Sequence, residues 1–338
     1  MAGTPIREVS RLDSAAIRCD VLGDKRPAVL RGLVGDWVAV RRGAESPAAL
    51  VEYLNRFDSG KSVDALLAEP EAGGCLFYND SMTGFNFVRK RLPLAAVAEQ
   101  VLRYSRFARS PAVAAQSALI RDCLPGFTDE NPLDIVAPNV LPRIWLGNRI
   151  TTPIHVDEWN NIGCVVAGRR RFTLFPPEQI ANLYIGPLDF APTGAPMSLV
   201  SLGNPDFERY PKFREALAVA QVAELAAGDA IFIPPLWWHH VESLEPFNVL
   251  VNYWWHDEVG DGALADSAFD ALLQGILSIR TLPPATRRAW GAFFEHYVFG
   301  DDRELTAHIP EQRRGILGTL TPERVASLRQ HLAKRLSR

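Results

Sequence analysis

A mainly β chain with helical additions, its centre an antiparallel sandwich or barrel, is predicted by three observations on these 338 residues. Between Val140 and His256 short β-rich runs recur with Gly, Pro and Asn between them; the region before is mixed, and after Gly262 the pattern turns helical. Many short strands separated by turns favour closure or sheet stacking, because either leaves few open edges. Apolar residues make up 47% and charged residues 22%, a balance that can bury a core. These shifts divide the chain into a mixed α/β portion over 1–139 that buttresses the barrel, the barrel itself over 140–256, and a helical extension over 257–338.

In order, Pro27–Leu33 reads as a short strand, Ser46–Phe57 as a helix and Cys75–Tyr78 as another strand. A helix follows over Leu92–Ser105, where Leu94, Val97, Val101 and Leu102 keep near-helical spacing. The barrel strands are Leu141–Gly147, Ile162–Val166, Arg171–Phe175, Ala230–Ile233 and Val249–Trp255. The long, Pro-rich stretch Ile180–Leu217 reads as an insertion crossing one barrel face. Leu264–Ile279 and Thr286–Phe299 are candidate helices, and Thr321-Pro322 places a capping hydroxyl and an N1 proline before a last one. That helix carries Val325, Leu328, Leu332 and Leu336 on one stripe, to pack on the barrel or on a second subunit.

A net charge of −3 lacks the basic excess of a dedicated nucleic-acid binder. Cys19, Cys75, Cys123 and Cys164 form no C-x-x-C pair, which fits a reducing compartment rather than a disulfide framework or structural zinc. With no apolar leader at the N-terminus and no run of about 20 apolar residues, a cytoplasmic protein without a membrane span is expected. Walker A, dinucleotide and G-x-S-x-G motifs are absent from the sequence.

Two places carry candidate chemistry: His155-Val-Asp157 and Trp237-Trp-His-His240. An H-x-D can arise by chance in a turn, yet here it closes one apolar run just before another, and period-two geometry puts both side chains on one face. Two adjacent histidines in an apolar segment are costly to bury unless each finds a partner. One is expected to bind a metal and the other a backbone carbonyl. Two imidazoles and one carboxylate with open positions form the ligand set of non-haem Fe(II) oxygenases, whereas structural zinc fills all four positions.

These residues resemble the JmjC subgroup of cupin-like Fe(II)/2-oxoglutarate-dependent dioxygenases, nearest the factor-inhibiting-HIF type of asparaginyl hydroxylase. The resemblance runs from about Pro27 to the C-terminus. It is carried by Thr152-Pro-x-His-x-Asp-Glu-x-x-Asn161, Leu174–Gln179, Asn204–Pro211, Gly228-Asp229 with Ile233-Pro234, and Trp237–Ser243 with Val251-Asn252 and Trp254. It implies a double-stranded β-helix (jelly-roll) core and His155, Asp157 and His239 as ligands of Fe(II), His239 being the histidine directly after the two tryptophans. It implies Thr152, Asn161, Arg170 and Asn252 as the pocket of the co-substrate 2-oxoglutarate, with Arg170 on the distal carboxylate in place of a family lysine. Arg169 and Arg171 leave that register open by one, and three arginines at a turn also suit a solvated corner. Gln116, Glu158 and Trp254 are the implied substrate contacts.

The implied activity is hydroxylation of a protein side chain or small molecule with release of succinate and CO2; demethylation through an N-methyl hydroxylation is a variant of it. A family tyrosine falls at Ala114, and Thr193–Met197 lacks the Arg-Gln pair of the asparaginyl hydroxylase, so substrate identity does not carry over. Two rivals stand beside this reading: a non-redox metal-binding cupin (isomerase or hydrolase), and a non-catalytic cupin-fold binding protein. The resemblance also implies a homodimer through the C-terminal helices, with Trp290, Phe293, Phe294 and Tyr297 beside the last stripe.

Overall fold

The computed structural model describes residues 3–10, 13–192, 194–256 and 268–336. It divides into two compact units, Met1–Trp255 and His256–Arg338. The first contains β1 (Thr4–Pro5), β2 (Glu8–Val9), β3 (Ala28–Leu30), β4 (Ser62–Ala68), β5 (Phe87–Pro93), β6 (Ala112–Leu119) and β7 (Pro142–Gly147). It continues with β8 (Thr151–His155), β9 (Asn160–Ala167), β10 (Arg169–Phe175), β11 (Gln221–Ala226), β12 (Ala230–Ile233), β13 (Trp238–Ser243) and β14 (Asn248–Trp255).

These strands make two sheets, as expected of a cupin jelly roll. The smaller has the order β1-β11-β10-β13-β8 and the larger β2-β3-β12-β9-β14-β7-β6-β4-β5. Every residue of β9 is buried, as its place between β12 and β14 demands. The chain changes sheets between β9 and β10 at Gly168, whose φ of +77° and 2.3 Å approach of an added Cβ to Asn248 Oδ1 admit only glycine. Phe172, Leu174, Ile231, Ile233 and Val165 fill part of the space between the sheets. Helices Val38–Glu45, Pro47–Asn55 and Leu94–Tyr104 cover the outer face of the larger sheet through Val40, Leu50, Leu54 and Val97.

Several sequence expectations need correction. Cys75–Tyr78 makes only isolated bridges: the Asn86 side chain accepts from Phe77 N and donates to Cys75 O (both 2.8 Å), taking the place of a partner strand. The helix expected from Leu92 begins at Leu94, because Leu92 and Pro93 complete β5. The three arginines are the start of β10, where alternation buries Arg170 and turns Arg169 and Arg171 outward onto Glu245 and Glu224. Strands β4, β5 and β6 escaped the sequence reading; β6 pairs with β7, β4 with β6 and β5 with β4, which extends the larger sheet.

Over the insertion, Leu183, Val200, Leu202 and Phe213 pack on Ile154, Phe175 and Trp238 of the smaller sheet. Thr193 lies outside the described residues. The C-terminal unit holds helices Ala268–Ile279, Pro284–Tyr297 and Pro322–Leu336; the expected start at Leu264 also falls outside them. Thr321 Oγ1 accepts from Arg324 N at 3.4 Å, the cap anticipated before Pro322. Among the described residues no helix is long and apolar enough to cross a membrane.

Candidate metal centre

β8 and β13 are antiparallel with His155 opposite His239 and Thr152 opposite Val241, so β8 spends three residues where β13 spends two. The extra residue falls at Pro153–Ile154, where proline could not have donated to the ladder. This bulge turns Thr152 and His155 into the same cavity, which strict alternation would forbid. Asp157 follows the end of β8, its carbonyl accepting from Leu236 N at 2.9 Å. Leu236 is a non-glycine residue at φ +63°, local strain of the kind that collects at functional sites.

The donor atoms of His155, Asp157 and His239 all lie within 4.8 Å of one another. His155 Nδ1 bonds the Pro153 carbonyl at 2.8 Å and His239 Nδ1 bonds the Trp237 carbonyl at 3.0 Å. A carbonyl only accepts, so Nδ1 carries the hydrogen in both rings and each Nε2 keeps its lone pair for a ligand. Burial, helped by the neighbouring His239, lowers the His155 pKa to about 4, which keeps that imidazole neutral at pH 7. His240 faces the opposite side of the sheet, toward Arg171 and Glu242. Its buried Nδ1 has no hydrogen-bond partner, so the expected carbonyl contact is made by His239 instead.

The cavity beside this cluster lies between the two sheets. The smaller sheet contributes Thr152, Arg170, Phe172 and Val241, and the larger contributes Ala114, Gln116, Trp145, Asn161, Leu250, Asn252 and Trp254. Arg170 is 8% exposed, its Nε is unpartnered, and burial lowers its pKa to about 10. None of the described ion pairs includes it, so the cavity wall holds a cation still in need of an anion. On β6, Ala114 and Gln116 share the cavity face by alternation, and Gln116 Oε1 is buried there without a partner; a second bulge follows between Ala115 and Ala118 against β7. Glu158 is not part of the lining.

Sequence reasoning passed over Trp145. The alternation of Ile144 and Leu146 against Arg143 and Trp145 was the available signal, because it puts the tryptophan on the face away from the covered core.

The cupin-like domain model matches residues 14–261. Over 150 residues the chain is 34% identical to HSPB1-associated protein 1 of Homo sapiens, covering 44% of this chain and 30% of that protein. It is 35% identical over 132 residues to lysine-specific demethylase JMJ31 of Arabidopsis thaliana, 39% of this chain and 22% of that one. It is 38% identical over 101 residues to tRNA wybutosine-synthesizing protein 5 of Gallus gallus, 30% of this chain and 29% of that one. Each match thus spans under a third of the relative's length.

Proposed function

The chain belongs to the cupin-like domain family, and from that premise we propose that it is an Fe(II)- and 2-oxoglutarate-dependent oxygenase. The observation that carries this reading is the pairing of a His-Asp-His cluster with the uncompensated Arg170 in one cavity. The donor set fits the ion: two neutral imidazole nitrogens and one carboxylate, which leave coordination positions for other ligands. Arg170 fits a carboxylate at the far end of a dicarboxylic oxo-acid, and a guanidinium can hold it with two parallel hydrogen bonds. When bound, Fe(II) and 2-oxoglutarate supply the oxidising power: dioxygen is consumed, 2-oxoglutarate becomes succinate and CO2, and one oxygen atom enters a substrate C–H bond.

The chain's own residues then bind, orient and shield. Thr152, Asn161 and Asn252 give hydrogen-bonding groups around the oxo-acid, while Phe172, Ile233, Val241 and Leu250 keep water off it. Gln116 and Trp254 each present a buried polar atom without a partner, Oε1 and Nε1, toward a protein or small-molecule substrate. Ala114 leaves only a methyl group in the wall, so no hydroxyl from that position holds the co-substrate. The four cysteines are free, in keeping with a reducing, cytoplasmic setting. The apolar side chains of the C-terminal helices suit a homodimer.

Anaerobic addition of Fe(II) and then 2-oxoglutarate should produce a weak visible charge-transfer band, and air should release succinate. His155→Ala or Asp157→Ala should abolish both with the fold retained; full succinate production by either variant would sink the assignment. His240→Ala should keep its metal. Formaldehyde released in step with succinate would mark a demethylase instead of a hydroxylase.

A further inference from the structure

One line of polar side chains crosses the larger sheet and ends on Asp157. Trp145 Nε1 donates to Asn252 Oδ1 at 2.7 Å, Asn252 Nδ2 donates to Asn161 Oδ1 at 3.3 Å, and Asn161 Nδ2 donates to Asp157 Oδ2 at 3.4 Å. Its geometry comes from strand register. Trp145 on β7 lies opposite Leu250 on β14, two residues before Asn252. Asn161 on β9 lies opposite Trp254 on β14, two residues after it. Each link is therefore the diagonal neighbour of the last on one face of three adjacent strands, a separation that side chains of this length span.

The direction of the line is set at one end. An indole N–H can only donate, so Asn252 must turn its oxygen to Trp145 and its NH2 group to Asn161. Asn161 must then accept with its oxygen and donate to Asp157. Turning either amide over would bring NH2 against NH2 or oxygen against oxygen, and both residues are too buried, at 2% and 8% exposed, for water to relieve this. Each amide nitrogen keeps a second hydrogen for the cavity.

We propose that Trp145 is a positioning residue: through Asn252 and Asn161 it fixes the hydrogen bonding, and hence the orientation, of the Asp157 carboxylate beside His155 and His239. The inference rests on the metal reading above and adds to it a control point separated from the ligand Asp157 by two side chains.

The test is Co(II) binding to metal-free protein, followed by its visible absorption, for the parent, Trp145→Phe, Asn161→Leu and the double variant. Asn161→Leu should weaken Co(II) binding about 10- to 100-fold, the usual cost of losing a hydrogen bond to a metal ligand. Trp145→Phe, which keeps a ring in place, should weaken it by a smaller factor of at least about threefold, since it acts through that link. The double variant should bind no more weakly than Asn161→Leu alone. Multiplying losses would show that Trp145 acts independently of the line, and unchanged binding by Trp145→Phe would overturn the proposal outright. A melting temperature that falls while the folded Trp145→Phe protein binds Co(II) normally would assign Trp145 to packing and also overturn it. Asn161→Ala replaces the leucine variant if that one does not fold. A parent protein that binds no Co(II) would remove the metal reading as well, an outcome distinct from the others.

Discussion

Arg170 shows how a single residue can define a cavity, because burial without a counter-charge makes it a receptor for an anion. Arg170→Met keeps much of the stem and removes the charge. The Michaelis constant for 2-oxoglutarate should then rise at least about tenfold, as a charge-assisted contact contributes roughly 1.5–3 kcal/mol. Co(II) binding should barely change; an Arg171→Met variant with the larger effect would refute the assignment. The buried histidines set a pH dependence. Burial lowers the pKa of both His155 and His240 from 6.5 to about 4. Between those values the unfolded chain of the metal-free protein binds protons that the folded chain excludes, so stability falls as pH drops through this window and is indifferent above it. Urea midpoints at pH 7.5 and pH 5 should differ accordingly, and His240→Gln should shrink the difference. Both histidine motifs were legible because each motif is local. That His240 faces away from the cluster followed only once the strand was built.

At the scale of elements, Asn131 joins parts of the chain that sequence distance separates. Its Oδ1 accepts from Ala39 N at 2.9 Å, capping helix Val38–Glu45, for which Trp37 provides no side-chain cap. Its Nδ2 donates to Tyr53 Oη and Phe127 O, both at 2.8 Å. Asn131→Ala would strand buried donors and acceptors in three elements, and should cost about 2–3 kcal/mol in urea unfolding with little effect on metal binding. A loss within measurement error would mean that water replaces it. The cap at Ser46, whose hydroxyl accepts from Ala49 N at 3.0 Å just ahead of Pro47, was by contrast readable from the sequence alone. Local caps are written in adjacent residues, whereas Asn131 serves a helix 92 positions away.

For the molecule as a whole, the C-terminal unit exposes Phe293, Phe299, Leu332 and Leu336 at 56%, 70%, 49% and 61%. Large apolar side chains left this exposed suit an interface, and a second copy can cover them symmetrically. The double variant Leu328→Arg with Leu332→Arg should therefore convert a dimer to a monomer in light scattering; a monomeric parent at micromolar concentration would end that proposal. The sequence by itself determined a mainly β centre of sandwich or barrel type, the order of most barrel strands and the His-x-Asp and His-His motifs, since these follow from alternation, turn residues and short-range spacing; the jelly-roll class came from the family resemblance. Only the tertiary structure decided that β4, β5 and β6 extend the larger sheet, that a bulge at Pro153–Ile154 aims both Thr152 and His155 inward, and that Trp145 meets Asn252. The reason is register: pairing between distant strands sets which side chains share a face, and a one-residue slip or bulge reverses that assignment without leaving a mark in local composition.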